Sequence, residues 1–385
     1  MADRNPFSFG SPVEEAEHFC DRRVELSAVT DLMLNGQNVI LLSPRRYGKT
    51  SLLYRAIAVV RRRRGRTGYA SLARCTSRRE VAQELLAATM NGPLSALRRS
   101  RARLQEAVRN FSVRPELSIE ADGRIGVRFG VAGRDEDWAA VMADVLRLLR
   151  HAGDRDHPVS LVVDEFQRVA RIHGDVGGQF KALADELAGV SLVLSGSELH
   201  MMRALTVGSA APLYGMGELI HLDVIAEGDM VDYLCRRARS GGKSMLPDVA
   251  ARLYRLVDGV PNDVQRLAYS AYTEAQDVFD DAAVERGLDA ILRHQGVEFQ
   301  ERFAGLAEAP SQQRLLRYLA SHPGRALYSK AVLDALEVAN ANAVRTALSV
   351  LDRREQIVER RGEWRVANPF FREWLRAEAG PGPLR

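Results

Sequence analysis

Residues 43–51 read Ser-Pro-Arg-Arg-Tyr-Gly-Lys-Thr-Ser and follow the apolar run Val39-Ile40-Leu41-Leu42. The run predicts a strand, and the helical spacing of the next residues predicts a helix after the loop. A tight loop between a strand and a helix, ending in Gly-Lys-Thr, is the context of a phosphate-binding loop. Loop amides and the helix N-terminus attract anionic oxygens. The stretch therefore predicts a nucleoside triphosphate site formed by Ser43, Pro44, Arg45, Arg46, Tyr47, Gly48, Lys49, Thr50 and Ser51.

Two side chains of this loop have predicted roles. Lys49 would reach the β- and γ-phosphates, and the Thr50 hydroxyl would bind Mg²⁺. The chain has only four lysines against fifty arginines, so a lysine at this position is not typical of its surface charge. Ser43 replaces the first glycine of the full motif. Serine is small enough for the turn, although glycine approaches phosphate more easily.

A second motif is Val159-Ser160-Leu161-Val162-Val163-Asp164-Glu165. Its apolar run is typical of a strand buried on both faces of a parallel sheet, and ligands bind at the carboxyl ends of such strands. We expect Asp164 to hold Mg²⁺ and Glu165 to orient and polarise the attacking water, because phosphoryl transfer depends on positioning and charge stabilisation. Lys49, Glu165 and Ser195 are the predicted catalytic residues, and Thr50 and Asp164 the predicted metal ligands.

A third apolar run, residues 190–194, ends in Ser195-Gly196-Ser197. Ser195 is the candidate for a hydrogen bond to the γ-phosphate or to the attacking water, with Ser197 as the reserve. These serines are also suited to capping the next helix, and the sequence does not decide between the two roles.

Composition narrows the function classes. No apolar stretch approaches the roughly 20 residues of a membrane span, so we expect no membrane partner. Cys20, Cys75 and Cys235 lack metal-ligand spacing, and the histidines are scattered, which disfavours a catalytic zinc. The first residues lack the profile of a secretory signal, so we expect a cytoplasmic protein. The net charge of +4 permits nucleic-acid contact without arguing for it.

The pattern along the chain predicts three domains. Residues 1–225 form an α/β core with a β-hairpin inserted at about 111–131, where two alternating segments flank Asp122-Gly123. Residues 226–305 are helical throughout and form an α-helical lid. In the opening segment, Pro6, Phe7 and Phe9 either wrap a purine base or pack as an N-terminal arm.

Residues 306–385 predict a winged helix-turn-helix: three short helices and two strands about an Arg-Gly turn. In the third helix, Arg345 and Arg353 lie outside the apolar stripe, where double-stranded DNA would be contacted. Many such domains dock a protein partner or pack internally, and the pattern leaves these alternatives open.

The chain resembles the prokaryotic archaeal-type AAA+-like P-loop ATPases, relatives of the origin-recognition and STAND ATPases. The resemblance rests on the loop and acidic motifs above and on Asn5-Pro6-Phe7, Phe19 through Leu26, Gln167, Met201-Met202, Pro212-Leu213-Tyr214-Gly215 and Asn368-Pro369-Phe370-Phe371-Arg372-Glu373-Trp374-Leu375. It implies an α/β P-loop core with a parallel sheet, an α-helical lid and a C-terminal winged helix, with ATP and Mg²⁺ as cofactors.

In the family an arginine often follows Pro-Leu-Tyr-Gly and is a candidate for sensing the γ-phosphate of the same or a neighbouring subunit; here that position is Met216. Loss of such an arginine costs about 10³–10⁵ in turnover where one is used. We therefore expect a Mg²⁺-dependent ATP hydrolase, a slow one unless another arginine substitutes, that works as a nucleotide-driven conformational switch. An oligomer is left open. The alternatives are a DNA-binding regulator or a protein-interaction scaffold in which the nucleotide is structural.

Overall fold

The computed structural model describes residues 5–130, 135–154, 156–172, 174–187 and 189–378. These residues divide into two compact units, one formed by residues 12–224 and the other by residues 5–11 together with 225–378. Residues 1–4, 131 and 379–385, which the predicted core, hairpin and winged helix include, lie outside the described residues.

A five-stranded parallel sheet organises the unit of residues 12–224, with strand order β2-β5-β6-β1-β7. The predicted parallel-sheet α/β core is confirmed. The strands of the sheet are β1 Val39–Leu42, β2 Arg66–Ser71, β5 Val159–Asp164, β6 Val190–Gly196 and β7 Glu218–His221. The helices of this unit are α1 Arg23–Leu34, α2 Lys49–Arg62, α3 Arg78–Asn91, α4 Arg101–Ala107, α5 Asp135–Arg150, α6 Val176–Asp185 and α7 Leu199–Thr206.

Helices cover both faces of this sheet, which explains why β1, β5 and β6 are buried at every residue. Alternate residues of a strand point to opposite faces. Leu161 and Val163 belong to the apolar cluster that includes residues of α3 and α5. On the other face, the Ser160 hydroxyl donates to the carbonyl of Met33 in α1 (3.3 Å). Burial on both faces therefore produces the continuous apolar runs seen in the sequence.

An antiparallel hairpin lies between α4 and α5, inside the segment where the sequence predicts one. Its strands are β3 Glu116–Ile119 and β4 Ile125–Arg128. Ile125 and Val127 are buried in the core cluster, whereas β3 is mostly exposed. One strand therefore anchors the hairpin, and the other faces solvent.

Helices dominate the second unit. Its strands are short: β8 Ser244–Met245, β9 Val278–Phe279, β10 Ile357–Arg360 and β11 Glu363–Val366. Its helices are α8 Glu227–Ser240, α9 Pro247–Leu256, α10 Pro261–Glu274, α11 Asp281–Ala304, α12 Pro310–Ser321, α13 Lys330–Ala335, α14 Ala341–Arg353 and α15 Pro369–Glu378. After α14 the antiparallel pair β10–β11 turns at Arg361-Gly362, both with positive φ.

A group of arginines joins the C-terminal elements to the turn between α9 and α10. Arg365 and Arg372 both form ion pairs with Asp258, and Arg360 donates to the Asp258 carbonyl (2.9 Å). Arg372, with a side chain 5% exposed, also donates to the carbonyl of Leu256 (2.7 Å). A buried charge is tolerated when it is paired and hydrogen-bonded. This cluster therefore fixes β10, β11 and α15 to the α9–α10 turn.

The N-terminal arm packs within the same helical unit. Phe7 is 2% exposed and lies edge-on against Tyr272 (5.8 Å between centroids) and Phe279 (6.3 Å). Phe9 is 41% exposed and contacts Tyr269. Phe7 is thus packed as an N-terminal arm would be, whereas much of the Phe9 ring stays accessible.

Among the described residues, none of the helices combines the length and the apolar character that crossing a bilayer would demand.

The packing of Phe7 predicts a large loss of stability on truncation. We expect Phe7→Ala to lower the free energy of unfolding by about 3 kcal/mol, because it removes a buried ring and leaves a cavity. Urea denaturation followed by circular dichroism measures this change. Phe9→Ala is the matched control and should cost less than about 1 kcal/mol. Equal losses in the two variants would contradict this account of the arm.

Candidate functional site

The register of the parallel strands collects the predicted side chains at one edge of the sheet. β6 lies between β1 and β5, and its Ser195 pairs with Leu41 of β1. Val163 pairs with Leu194, which places Asp164 beside Ser195. The carboxyl ends of parallel strands form the usual ligand-binding edge of such a sheet. The end of β1, where the loop begins, and the end of β5 therefore face the same region across β6.

The loop after β1 leads directly into α2, which begins at Lys49. Gly48 has φ +83°, and a Cβ built there would meet nothing within 4 Å. This left-handed backbone favours glycine, and its outer surface is open to close approach. No side chain caps the first turn of α2. The amides of that turn are therefore suited to an anionic ligand.

The ammonium group of Lys49 joins the loop to the acidic strand end. Its Nζ lies 3.1 Å from Asp164 Oδ1 and 3.1 Å from Glu165 Oε1. The side chains of Lys49 and Asp164 are 6% and 4% exposed, so water does little to screen this contact. The structure brings together the lysine and both carboxylates that the sequence predicts.

Five neutral or cationic groups surround the Asp164 carboxylate: besides Lys49 and the three hydroxyls below, the backbone amide of Glu165 donates to Oδ1 (2.9 Å). Oδ2 accepts from Thr50 (3.2 Å) and from the Tyr69 hydroxyl (2.9 Å), and Oδ1 accepts from Ser195 (2.5 Å). Burial by itself would raise the pKa of Asp164, but the charge of Lys49 and the hydrogen bonds outweigh it and hold the pKa below its usual range. Burial, together with the adjacent carboxylate, raises the pKa of Tyr69, so the phenol remains a donor. Asp164 therefore stays ionised at neutral pH.

Glu165 is held from two sides. Besides Lys49 at Oε1, its Oε2 accepts from Ser197 (2.9 Å) and from Gln167 Nε2 (2.5 Å). Its backbone is left-handed, with φ +56°. A glutamate in this region is strained by about 1 kcal/mol or more, and such strain is common at functional sites. The carboxylate is thus oriented by neighbours and remains partly exposed.

The ends of the predicted loop make structural contacts. Ser43 is fully buried, and its hydroxyl donates to the carbonyl of Pro44 (3.0 Å). Ser51 is also buried, and its hydroxyl oxygen accepts from the amide of Val13 (2.8 Å). These two serines therefore shape the loop and attach the segment before α1 to α2.

The exposed part of the loop carries the two arginines. Arg45, 60% exposed, lies 3.5 Å from the buried carboxylate of Glu198, which also pairs with Arg171. Arg46 is exposed and has φ +73°. Glu198 thereby holds Arg45 beside the residues that follow β6.

A buried arginine holds the backbone of Tyr47 through a hydrogen bond. Tyr47 is 3% exposed, and its carbonyl accepts from the buried guanidinium of Arg22 (3.2 Å), which also donates to the carbonyl of Asp223 and to Glu25. One arginine therefore ties the start of α1 and the end of β7 to the loop.

Several contacting residues have no role in the sequence prediction: Tyr69, Gln167, Glu198 and Arg22. Gln167 and Arg22 lie within stretches that carry the family resemblance, and Glu198 directly follows Ser195-Gly196-Ser197, so these positions were the available signal. Tyr69 lies two positions before Ser71, which pairs with Asp164. That relation depends on strand register, which the sequence does not reveal.

The donor set fits a nucleoside triphosphate with Mg²⁺. Thr50 Oγ1 and Asp164 Oδ2 are hard oxygen donors 3.2 Å apart, of the type that Mg²⁺ prefers. The open Gly48 backbone and the uncapped start of α2 suit phosphate oxygens.

No protein-family model matches the chain, and no curated protein matches it. Solved structures do. A Walker-type ATPase of Pyrococcus abyssi has a TM-score of 0.65 at 18% identity, over 95% of this chain and 98% of the other. The ADP form of the Aeropyrum pernix ORC2 protein has a TM-score of 0.52 at 14% identity, over 98% and 99%. The A. pernix ORC1 protein in complex with DNA has a TM-score of 0.50 at 16% identity, over 94% and 93%. The chain therefore shares its fold with this Walker-type ATPase and with the two ORC proteins.

The lowered pKa of Asp164 predicts how stability depends on pH. The folded state holds this carboxyl more acidic than the unfolded chain does, so ionised Asp164 stabilises the fold above an unfolded pKa of about 4. That contribution is lost as the pH falls through the lower folded pKa. We expect the free energy of unfolding to fall more steeply between about pH 5 and pH 3 in the wild type than in Asp164→Asn. Urea denaturation across that range tests this, with the exposed-loop variant Asp122→Asn as control. Parallel curves for wild type and Asp164→Asn would refute it.

Proposed function

We propose that this protein is a Mg²⁺-dependent ATP-binding protein and ATP hydrolase that acts as a nucleotide-driven conformational switch. One observation carries the proposal: the Lys49 ammonium lies 3.1 Å from both Asp164 and Glu165, at the start of a helix that follows an open loop. The fold shared with Walker-type ATPases supports it.

The residues divide into binding and positioning groups. Lys49, the loop of residues 43–51 and the first amides of α2 would bind the phosphates. Thr50 and Asp164 would hold Mg²⁺, which neutralises phosphate charge when bound. Ser195 donates to Asp164, so its role here is to orient that carboxylate.

Glu165 is the candidate for orienting the attacking water and accepting its proton. In this structure one of its oxygens pairs with Lys49. When Lys49 contacts phosphate instead, Ser197 and Gln167 remain to hold Glu165 through the other oxygen. The exchange of the lysine contact would thus expose a correctly aimed carboxylate only when nucleotide is bound, since a ligand shifts a protein toward the state it binds better.

A conformational switch requires domains whose arrangement responds to the bound nucleotide. We propose a core of residues 1–225, a lid of 226–305 and a winged helix of 306–385, whose disposition changes with the nucleotide state. Met216 is 6% exposed and packs in the core cluster, so this position supplies no cation to the nucleotide. ATP hydrolysis is therefore slow, unless another arginine, from this chain or from a second subunit, contacts the γ-phosphate instead. We propose the cytoplasm as the place where this hydrolysis occurs.

Substitution of the two central residues separates binding from hydrolysis. We expect Lys49→Ala to lose nucleotide affinity, because it removes the phosphate cation, and to lower hydrolysis at least about 100-fold. Glu165→Gln should retain nucleotide affinity while losing about 10²–10⁴ in hydrolysis. Calorimetry with a non-hydrolysable ATP analogue and phosphate release measure the two effects.

Glu186→Gln, at an exposed glutamate after α6, is the control and should behave as wild type. Equal phosphate release by wild type, Lys49→Ala and Glu165→Gln would reject the hydrolysis mechanism. Absence of nucleotide binding in folded wild-type protein would reject the proposal as a whole.

A second candidate function is a regulator that binds double-stranded DNA through α14. Val344, Ala347 and Leu351 of this helix are buried, whereas Arg345 and Arg353 are exposed. This division leaves a polar helix face of the kind that enters a DNA groove.

Removal of both exposed arginines tests this second candidate. We expect Arg345→Ala with Arg353→Ala to weaken duplex DNA binding about tenfold or more and to reduce its salt dependence. Fluorescence anisotropy with a labelled duplex measures both. Unchanged affinity, together with a protein that co-purifies, would instead favour the interaction scaffold.

A further inference from the structure

The charge of the chain is concentrated in one segment. Residues 51–110 contain fourteen arginines and three glutamates, with no lysine and no aspartate, whereas the whole chain has a net charge of only +4. Two runs account for most of this excess: Arg-Arg-Arg-Arg-Gly-Arg at 61–66 and Arg-Arg-Ser-Arg-Ala-Arg at 98–103. Neither the nucleotide site nor α14 uses these runs.

The first run borders a cleft of about 550 Å³, and the second run follows directly in sequence after a segment that lines the same cleft. Arg61, at the end of α2, and Arg66, at the start of β2, line one side of it, and residues 91–97 line the other. The second run begins at the next residue. The cleft lies at the amino end of β2, whereas Asp164 lies at the carboxyl end of the neighbouring parallel strand β5. It is therefore at the opposite edge of the sheet from the nucleotide site.

A glycine makes this close approach feasible. A Cβ at Gly92 would lie 2.4 Å from the carbonyl oxygen of Thr67 and 2.6 Å from the Cα of Gly68. Any larger residue would push the segment of residues 92–97 away from β2. This wall of the cleft is thus held directly against β2, beside the end of the first basic run.

The described residues that line the cleft include no carboxylate; besides the two arginines they are Gly65, Thr67, Asn91, Gly92, Pro93, Leu94, Ser95, Ala96 and Leu97. Arg61 donates to Thr67 Oγ1 (2.7 Å) and to the Thr67 carbonyl (3.0 Å), and Arg66 donates to the Ala152 carbonyl (2.5 Å). These acceptors are neutral. Burial of the Arg61 guanidinium lowers its pKa. The two guanidiniums are held in place, but their charges are not neutralised.

The exposed arginines beside the cleft are nearly as poor in acidic partners. Within the described part of the chain, the ion pair of the first run joins Arg63 to Asp31 at 3.7 Å, with both side chains about 60% exposed. Such a pair contributes little, about 0–1 kcal/mol. Arg99 and Arg103 of the second run are exposed as well. Arginines therefore line one side of the cleft, and the exposed Arg99 and Arg103 follow the segment that lines its other side.

The chemistry of this surface selects its ligand. Guanidinium groups in series along a surface fit the regularly spaced phosphates of a nucleic acid, which they bind in a bidentate way. Single-strand binders add aromatic side chains on which bases stack. Among the lining residues that the structure describes, none is aromatic. The backbone of a duplex, whose bases are already stacked, is therefore the better fit.

We propose that this cleft, together with the arginine run 61–66 and the exposed Arg99 and Arg103, binds the phosphodiester backbone of a nucleic-acid duplex without reading its sequence. The site is separate from α14 and does not depend on ATP hydrolysis. It supplies affinity through phosphate contacts, and its binding weakens as salt concentration rises.

The test measures fluorescence anisotropy of nucleotide-free, full-length protein with a labelled DNA duplex, the matching RNA duplex and a single DNA strand. Arg62→Gln/Arg63→Gln/Arg64→Gln should bind the duplexes at least about tenfold more weakly at about 50 mM salt. Its slope of log affinity against log salt should be shallower by about 2–3, one step for each lost phosphate contact. Arg99→Gln/Arg103→Gln should act in the same direction. The two duplex arms show whether DNA or RNA supplies the backbone.

Arg236→Gln/Arg239→Gln/Arg293→Gln removes the same charge from exposed positions of the other unit and should bind as wild type. Lys49→Ala should also bind as wild type, which keeps a failure here distinct from a failure of the ATPase proposal. Equal affinities for the cluster and control triples would overturn the proposal. So would duplex binding that only Arg345→Ala with Arg353→Ala weakens, or tighter binding to the single strand. Binding to phosphatidylserine-containing vesicles, without binding to either duplex, would assign the surface to membranes and overturn it too.

Discussion

The ammonium group of Lys49 is the charge on which the arrangement of the site depends. It is almost completely buried, and a buried charge of this kind is stable only when it is paired and hydrogen-bonded. Asp164 and Glu165 provide the pairing, although their strand is separated from the strand before the loop by β6. The residues around them follow from this requirement: Ser195 on β6 donates to one carboxylate, and Ser197 donates to the other.

The elements that the sequence predicts well are those with a strong physical signature. β1, β5 and β6 are buried on both faces, so their residues must be apolar in succession, and the runs mark them within two residues. The Gly-Lys-Thr turn is recognisable because a positive φ at Gly48 and the start of a helix each restrict the residue types. Lys49 and Thr50 were predictable from this turn, and Asp164 from its place at the end of the buried β5 run. Their assigned roles are proposals.

Other features depend on relations between distant residues, which a single sequence does not show. β7 lies at the edge of the sheet and is largely exposed, so it carries no apolar run. The place of β6 between β1 and β5, and hence the contact of Ser195 with Asp164, follows only from the strand order. Tyr69 reaches Asp164 because of the register between β2 and β5. Arg22 precedes α1 and reaches the Tyr47 carbonyl only in the folded chain. The basic cleft could not be predicted either, because the arginine runs at 61–66 and 98–103 stand about 35 residues apart in the sequence.

The scarcity of lysine gives the burial of Lys49 a practical consequence. Acylating reagents that modify primary amines have only three other side-chain targets in this chain: Lys181, Lys243 and Lys330. Lys330 is exposed, while Lys181 and Lys243 donate to backbone carbonyls. The fourth amine, that of Lys49, is buried against the carboxylates of Asp164 and Glu165. Its reactivity towards such reagents therefore reports directly whether these two ion pairs are intact.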